Sequence, residues 1–113
     1  MIASYRDLAV WQRAMELAAL VHKLAATLPR EEIYGLRSQL QRAAVSIPSN
    51  IAEGHAREST KEYLRYLLVS RGSMAELETQ LLLCQKLQLL SKVEHALVVS
   101  DEIGRMIRGL QKL

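Results

Sequence analysis

Apolar residues recur along this chain at steps of three and four, in four stretches separated by short polar interruptions. In the first, Val10, Ala14, Leu17, Val21, Leu24 and Leu28 make one stripe, and Leu8, Trp11, Met15 and Ala18 make an adjacent one. In the second, Ile33, Leu36, Leu40, Ala44, Ile47 and Ile51 share a face. The third carries Tyr63, Leu67, Ser70, Met74, Leu77, Leu81 and Cys84, and the fourth Val93, Ala96, Ser100, Ile103, Ile107 and Leu110. This spacing belongs to amphipathic helices and not to strands, whose faces alternate every second residue. It predicts helices over about residues 5–28, 32–54, 60–88 and 92–112.

The boundaries carry their own signals. Ser4 with Asp7, Ser59 with Glu62 and Ser91 with Glu94 have capping-box spacing, in which the hydroxyl accepts from an orphan amide and the acid reaches back. Pro29 closes the first helix, and Glu31 and Glu32 place negative charge near the start of the second. Gly54 stands where a left-handed residue often ends a helix. Leu87 to Ser91 turns the third helix into the fourth. Short links between long helices imply antiparallel neighbours, so the expected fold is all-α: one domain over residues 1–113, an up-down-up-down four-helix bundle.

Composition agrees. Half of the chain is hydrophobic, aromatics are only 4% and Phe is absent, so the apolar mass is aliphatic. Five Gly and two Pro are too few for a turn-rich fold. The single cysteine, Cys84, lies in a leucine-rich helix and reads as a small buried hydrophobe. The lack of an internal disulfide fits the cytoplasm. No secretion signal is expected, because Arg6 and Asp7 interrupt the position of an apolar core, and no run approaches a membrane span.

Two segments break the pattern. Pro48 sits inside the second helix, removes an amide donor and crowds the carbonyl of Ala44. A kink costing about 3 kcal/mol is expected there, with Ser46, Ser49 and Asn50 placed to satisfy the freed groups. Gln39, Arg42, Ser46, Ser49, Asn50, Glu53 and Arg57 cluster on the side of this helix away from its apolar stripe. That face is either solvated surface or a contact with a second subunit, a channel or a polyanion. In the third helix, Gly72 interrupts at a cost of about 1 kcal/mol relative to Ala, and small residues there allow close approach of another helix. Glu53, Arg71, Ser73 and Glu76 are candidates for a buried polar network.

The sequence offers few groups for chemistry. None of His22, His55 and His95 has Glu three residues before it, as a di-metal bundle would need. One cysteine supplies no zinc site. The Gly104–Gly109 spacing is followed by Leu110 and not by the lysine of a phosphate loop. His22 reads as an interface residue and His55 as a loop residue. No cofactor or metal is expected and no catalytic residue is assigned; an enzyme would need a site assembled across subunits. The net charge of +3 permits nucleic-acid contact without demanding it. Arg37, Arg42, Arg57, Lys61 and Arg65 are the candidates for that contact. Local pairing of Glu58 with Lys61 and of Glu62 with Arg65 is the plainer explanation of the last two.

Several short runs together resemble a known family. They are Asp7-Leu8 with Val10-Trp11, Glu32 with Tyr34-Gly35-Leu36, Gln39, Arg42-Ala43-Ala44, the run from Ser46 to Gly54, and Gly72-Ser73 with Glu76-Leu77. The pattern resembles the bacterial four-helix-bundle proteins encoded by intervening sequences in 23S ribosomal RNA genes, and is similar to the accessory variability determinant of diversity-generating retroelements. Pro48, Asn50, Glu53, Gly54, Gly72, Ser73 and Glu76 are the motif positions. The resemblance implies a ring-shaped homopentamer. It also implies a non-catalytic scaffold that could bind RNA, DNA or a nucleic-acid enzyme, although this chain is less basic than the retroelement type. A pure protein-interaction module is the alternative. The apolar residues beyond the seams, namely Leu68, Leu82, Leu83, Val98 and Val99, independently suggest that copies cover one another.

Overall fold

The four periodic stretches fold as four helices: α1 (Ala9–Ala26), α2 (Leu36–Ala56), α3 (Thr60–Lys86) and α4 (Glu94–Gln111). Single turns of 3-10 helix at Tyr5–Asp7 and Arg30–Glu32 precede α1 and α2. The computed structural model describes residues 4–112, and among them there is no strand. Each helix packs on its neighbours in sequence, and α1 closes the ring by packing on α4. Contacts run in opposite directions along each pair. Ser46 meets Ser73 and Glu53 meets Tyr66 between α2 and α3, while Gln85 meets Glu94 and Arg71 meets Gln111 between α3 and α4. The helices therefore alternate up and down, in a body 44 × 22 × 20 Å whose long axis matches the 27 residues of α3 at about 1.5 Å each.

The core is the expected seams brought together. Val10, Ala14, Leu17 and Val21 of α1 meet Leu40, Ala44, Ile47 and Ile51 of α2. Leu67, Met74, Leu77, Leu81 and Cys84 of α3 join the same cluster with Ala96, Ile103 and Ile107 of α4 and Val93 just before it. Cys84 is fully buried, and burial pushes its thiol pKa up, as an inert core thiol requires. Val99, placed beyond the seam on periodicity, is buried too, because α4 is clasped between α1 and α3.

Helix ends depart from the sequence reading in instructive ways. The Ser59 hydroxyl accepts from the amide of Glu62, so that cap is real. Ser4 instead caps the 3-10 turn by accepting from Arg6, and α1 begins later, behind Leu8. Ser91 caps nothing: α4 starts behind Val93, whose apolar side chain is buried. A carboxylate does the work at α2, where Glu32 Oε1 accepts from the amide of Leu36 across Gly35. The residues that end helices in a left-handed conformation are Glu58 (φ 55°) and Gln88 (φ 61°), and no glycine does so. Beyond α3 the amide of Leu89 reaches back to the Cys84 carbonyl and that of Gln88 to Gln85, the doubly bonded helix end expected of such a residue.

Gly54 serves a different purpose. A Cβ built there would lie 2.6 Å from Tyr66 Cβ, so its lack of a side chain lets α2 and α3 approach closely. Pro48 is buried inside α2, which continues on both sides of it. Two carbonyls just before Pro48 find extra donors. Asn50 Nδ2 donates to the Ser46 carbonyl at 2.8 Å, and Ser70 Oγ, from α3, donates to that of Ile47 at 2.9 Å. Neither donor reaches the Ala44 carbonyl that Pro48 leaves free, so the side-chain bonds of Ser46 and Asn50 do not play the part expected of them; Ser49 stays exposed, and Ser70 of the core seam adds a bond from α3.

Candidate interface around helix α2

Two grooves flank α2, and they differ in kind. Toward α3 lies a polar groove of about 490 Å³ lined by Gln39, Arg42, Ser46, Ser73, Glu76 and Gln80, with Ala43 in its floor. The antiparallel register places these residues in layers, Ser46 against Ser73 and Arg42 near the level of Glu76. Ser46 and Ser73 share a hydrogen bond of 2.8 Å, and Asn50 Nδ2 donates to Ser46 Oγ at 2.9 Å. Either hydroxyl can be the donor in that pair, since Ser46 Oγ keeps a second lone pair beside the one that accepts from Asn50. Arg42 and Glu76 stand on opposite walls and form no ion pair within 4.0 Å. Gln80 is only 7% exposed, yet its Oε1 accepts from no described residue, an arrangement that costs about 1–3 kcal/mol if left unmet.

Where α2 turns into α3, charges pair tightly. Glu53 accepts from Arg57 and from the Tyr66 hydroxyl, both at 3.1 Å, and Arg57 also donates to that hydroxyl at 2.8 Å. Arg65 forms a two-bonded pair with Glu62. The guanidinium carbons of Arg57 and Arg65 lie 5.3 and 4.5 Å from the centre of the Tyr66 ring. The Arg57 hydrogen bond, aided by Tyr66, holds the Glu53 carboxyl below the ordinary glutamate range; Arg65 does the same to Glu62. Nearby, His55 belongs to the last turn of α2 and not to a loop, and its ring meets Tyr63 edge-on.

Toward α1 the second groove, also about 490 Å³, is apolar: Tyr5, Trp11, Met15, Ala18, Val45 and Pro48 contribute to its lining. Tyr5 and Trp11 meet edge to face at 5.3 Å and wall one end. His22 is exposed farther along, beside Gln41. A further apolar surface lies on the outside of α3, where Leu68, Val69, Leu82 and Leu83 are exposed, with Leu87 at the helix cap. Gly72 stands on this face with nothing within 4 Å of a built Cβ. Helix α3 thus carries exposed apolar residues among Lys61, Arg65, Glu76, Thr79 and Lys86 on the side away from its core seam.

The five basic candidates do not form one patch. Arg57 and Arg65 are committed to Glu53 and Glu62. Lys61 is exposed close to them, and the Glu58 pairing expected for it is replaced by the left-handed turn at Glu58. Arg42 lies about 22 Å along α2 from Arg57, and Arg37 is half-buried on the α1 side of the helix. The four-residue network anticipated for Glu53, Arg71, Ser73 and Glu76 resolves into separate pairs: Glu53 with Arg57 and Tyr66, Ser73 with Ser46, and Arg71 with Gln111 at 3.2 Å. Tyr66, Gln80 and the Arg13–Glu102 pair that ties α1 to α4 escaped the sequence reading. Glu53 and Arg57 are four apart on one helix, which hinted at the first; nothing local hints at the other two. Among the described residues no group of three or more His, Cys, Asp or Glu could hold a metal ion, and no helix is long and apolar enough to cross a membrane.

Compared with known proteins, the chain matches the sequence model of the family described as 23S rRNA-intervening sequence protein over residues 6–109. No curated protein matches it.

Proposed function

We propose, from the premise that the chain belongs to the 23S rRNA-intervening sequence protein family, that it is a non-catalytic subunit of a closed homo-oligomeric scaffold working in the cytoplasm. The observation that carries this reading is the coexistence of two unlike apolar surfaces on one subunit: the concave α1–α2 groove and the convex outer face of α3. Unlike surfaces that fit each other join copies head to tail, and a head-to-tail contact that closes makes a ring. Five copies is the number that the sequence resemblance implies. Gly72 supports the same reading, since its missing side chain relieves nothing inside the subunit. Pro48 lines the α1–α2 groove, and a bend in α2 at that point would shape it. Solution mass by light scattering on nuclease-treated protein tests the proposal. A multiple of the 12.8 kDa chain is expected, and a monodisperse monomer at micromolar concentration overturns it.

Nucleic acid is the proposed cargo, reached through Arg37, Arg42 and Lys61, which form no ion pair among the described residues. Repetition around a ring would multiply so sparse a patch through avidity. The resemblance to the retroelement determinant makes a nucleic-acid enzyme the protein partner to try first. A mobility-shift titration across salt decides: phosphate contact makes affinity fall steeply with salt, and Arg42→Glu should weaken it. The pairing of Arg57 and Arg65 with their own carboxylates favours one second reading, a module that binds only protein. Its mark is capture of a partner that nuclease leaves unaffected.

A further inference from the structure

The seam between α3 and α4 holds charges that are served unequally. Arg13, Arg57, Arg65 and Arg105 each answer a carboxylate, those of Glu102, Glu53, Glu62 and Asp101 in turn. Arg71 and Arg108 pair with none among the described residues, although Glu78 and Asp101 line the same crevice of about 190 Å³. Both of those acids are already taken up. Glu78 accepts at 2.5 Å from the hydroxyl of Ser100, which is fully buried, and Asp101 pairs with Arg105 at 3.5 Å.

The two guanidiniums are held near each other. Arg71, half-buried on α3, donates from Nη1 across the seam to Gln111 Oε1 at 3.2 Å. Arg108 stands one turn before Gln111 on the same face of α4. It folds back over the buried Gly104, where a built Cβ would lie 3.4 Å from Arg108 Nη1 and 3.3 Å from the Met74 methyl. The bare glycine thus leaves the space into which this arginine turns. Two cations one turn apart disfavour each other's charge unless an anion stands between them. The local carboxylates do not fill that place: Glu78 is seven residues along α3 from Arg71, about 10 Å, and Asp101 is as far along α4 from Arg108.

A crevice of this size selects a small anion with several equivalent oxygens. A carboxylate has two, which one arginine fork engages, so the second guanidinium is left unserved. A nucleic-acid strand would run on past Glu78 and Asp101, which repel it. We propose that the α3–α4 crevice binds a phosphate dianion, free or as the end group of a small monoester, between Arg71 and Arg108. Each guanidinium donates to phosphate oxygens in the planar two-point geometry arginine favours. Gln111 positions Arg71, Gly104 gives Arg108 its place, and Ser100 holds the Glu78 carboxylate off both. The site shares no residue with the basic positions assigned to nucleic acid and does not rest on self-assembly.

The test is calorimetric titration of inorganic phosphate, and in parallel of a nucleoside 5′-monophosphate, into the whole nuclease-treated chain at constant ionic strength. The work is done at about pH 8, where a phosphate group carries its second charge. Saturable binding once per chain is expected for at least one of the two. Tighter binding of the monophosphate marks a monoester as the ligand, and tighter binding of inorganic phosphate marks the free ion. Arg71→Gln and Arg108→Gln should each weaken binding by about tenfold or more, with helix content and solution mass unchanged. Neither side chain belongs to the core. Lys112→Gln removes the same charge from an exposed position one turn beyond Arg108 and should change binding by less than about twofold. Absence of saturable binding by either ligand overturns the proposal. So does binding indifferent to both arginine substitutions, or weakened as much by Lys112→Gln, which would reduce the site to general surface charge.

Discussion

The inner face of α3 and its outer face belong to the same 27 residues and are equally rich in leucine, yet they are finished differently. Inside, Leu67, Leu77 and Leu81 reach zero exposure against α2 and α4, Ser70 fills the carbonyl of Ile47, and Gly54 opposite makes room for Tyr66. Outside, Leu68, Val69, Leu82 and Leu83 stay about half exposed, and Gly72 makes room for nothing within the chain. Small residues are informative only through their surroundings. The same residue type marks a completed contact at one position and an uncompleted one at the other.

The widest separation between the two faces should come from one substitution made on each. Leu77→Asp buries an unpaired charge and should cost more than about 3 kcal/mol, enough to unfold the chain by circular dichroism. Leu83→Asp should keep full helix content and abolish only the assembled mass; if both variants unfold, the outer face is part of the core after all. Gly54→Ala forces a Cβ against Tyr66 and should lose about 1–3 kcal/mol in a denaturant titration. Gly72→Ala should do the reverse within the subunit, gaining about 0.5–1 kcal/mol from helix propensity, while lowering the assembled mass.

The smallest effect concerns the charged end of the α2–α3 seam. Glu53 and Glu62 have folded pKa values below those of an unfolded chain, through Arg57 and Arg65. Their contribution to stability is present above the ordinary carboxylate pKa and is lost as pH falls through the depressed folded values. Both pairs are exposed, so the dependence should be slight and should fade in high salt. Glu53→Gln should flatten part of the acid-side slope in melts recorded below the ordinary carboxylate range.

Most of the fold was legible because burial obeys helical spacing: Val10 to Val21, Leu40 to Ile51 and Ile103 to Ile107 are core residues that period alone identifies. Helix ends were less legible. Capping spacing such as Ser91 with Glu94 is common, and whether it closes a helix depends on tertiary burial, here that of Val93. Gly54 looked like a helix end because its neighbour Tyr66 lies on another helix, beyond the reach of local spacing. The polar side of α2 was recognised, but not which of its arginines are spoken for. Arg57 is held partly by Tyr66, a partner nine residues away on another helix. The vacancy at Gln80 has no sequence signature, since it is a relation among side chains from two helices.

The tight turn at residues 57–59 has a kinetic consequence. It brings Glu53, Arg57, Glu62, Arg65 and Tyr66 together across a loop so short that closing it forfeits little chain entropy. From that clasp the two helices can zip outward, pair by pair, before the distant α1 and α4 have found each other. A cluster that contributes little to equilibrium stability would then choose where folding starts, and charge removal there would be felt mainly in the refolding rate.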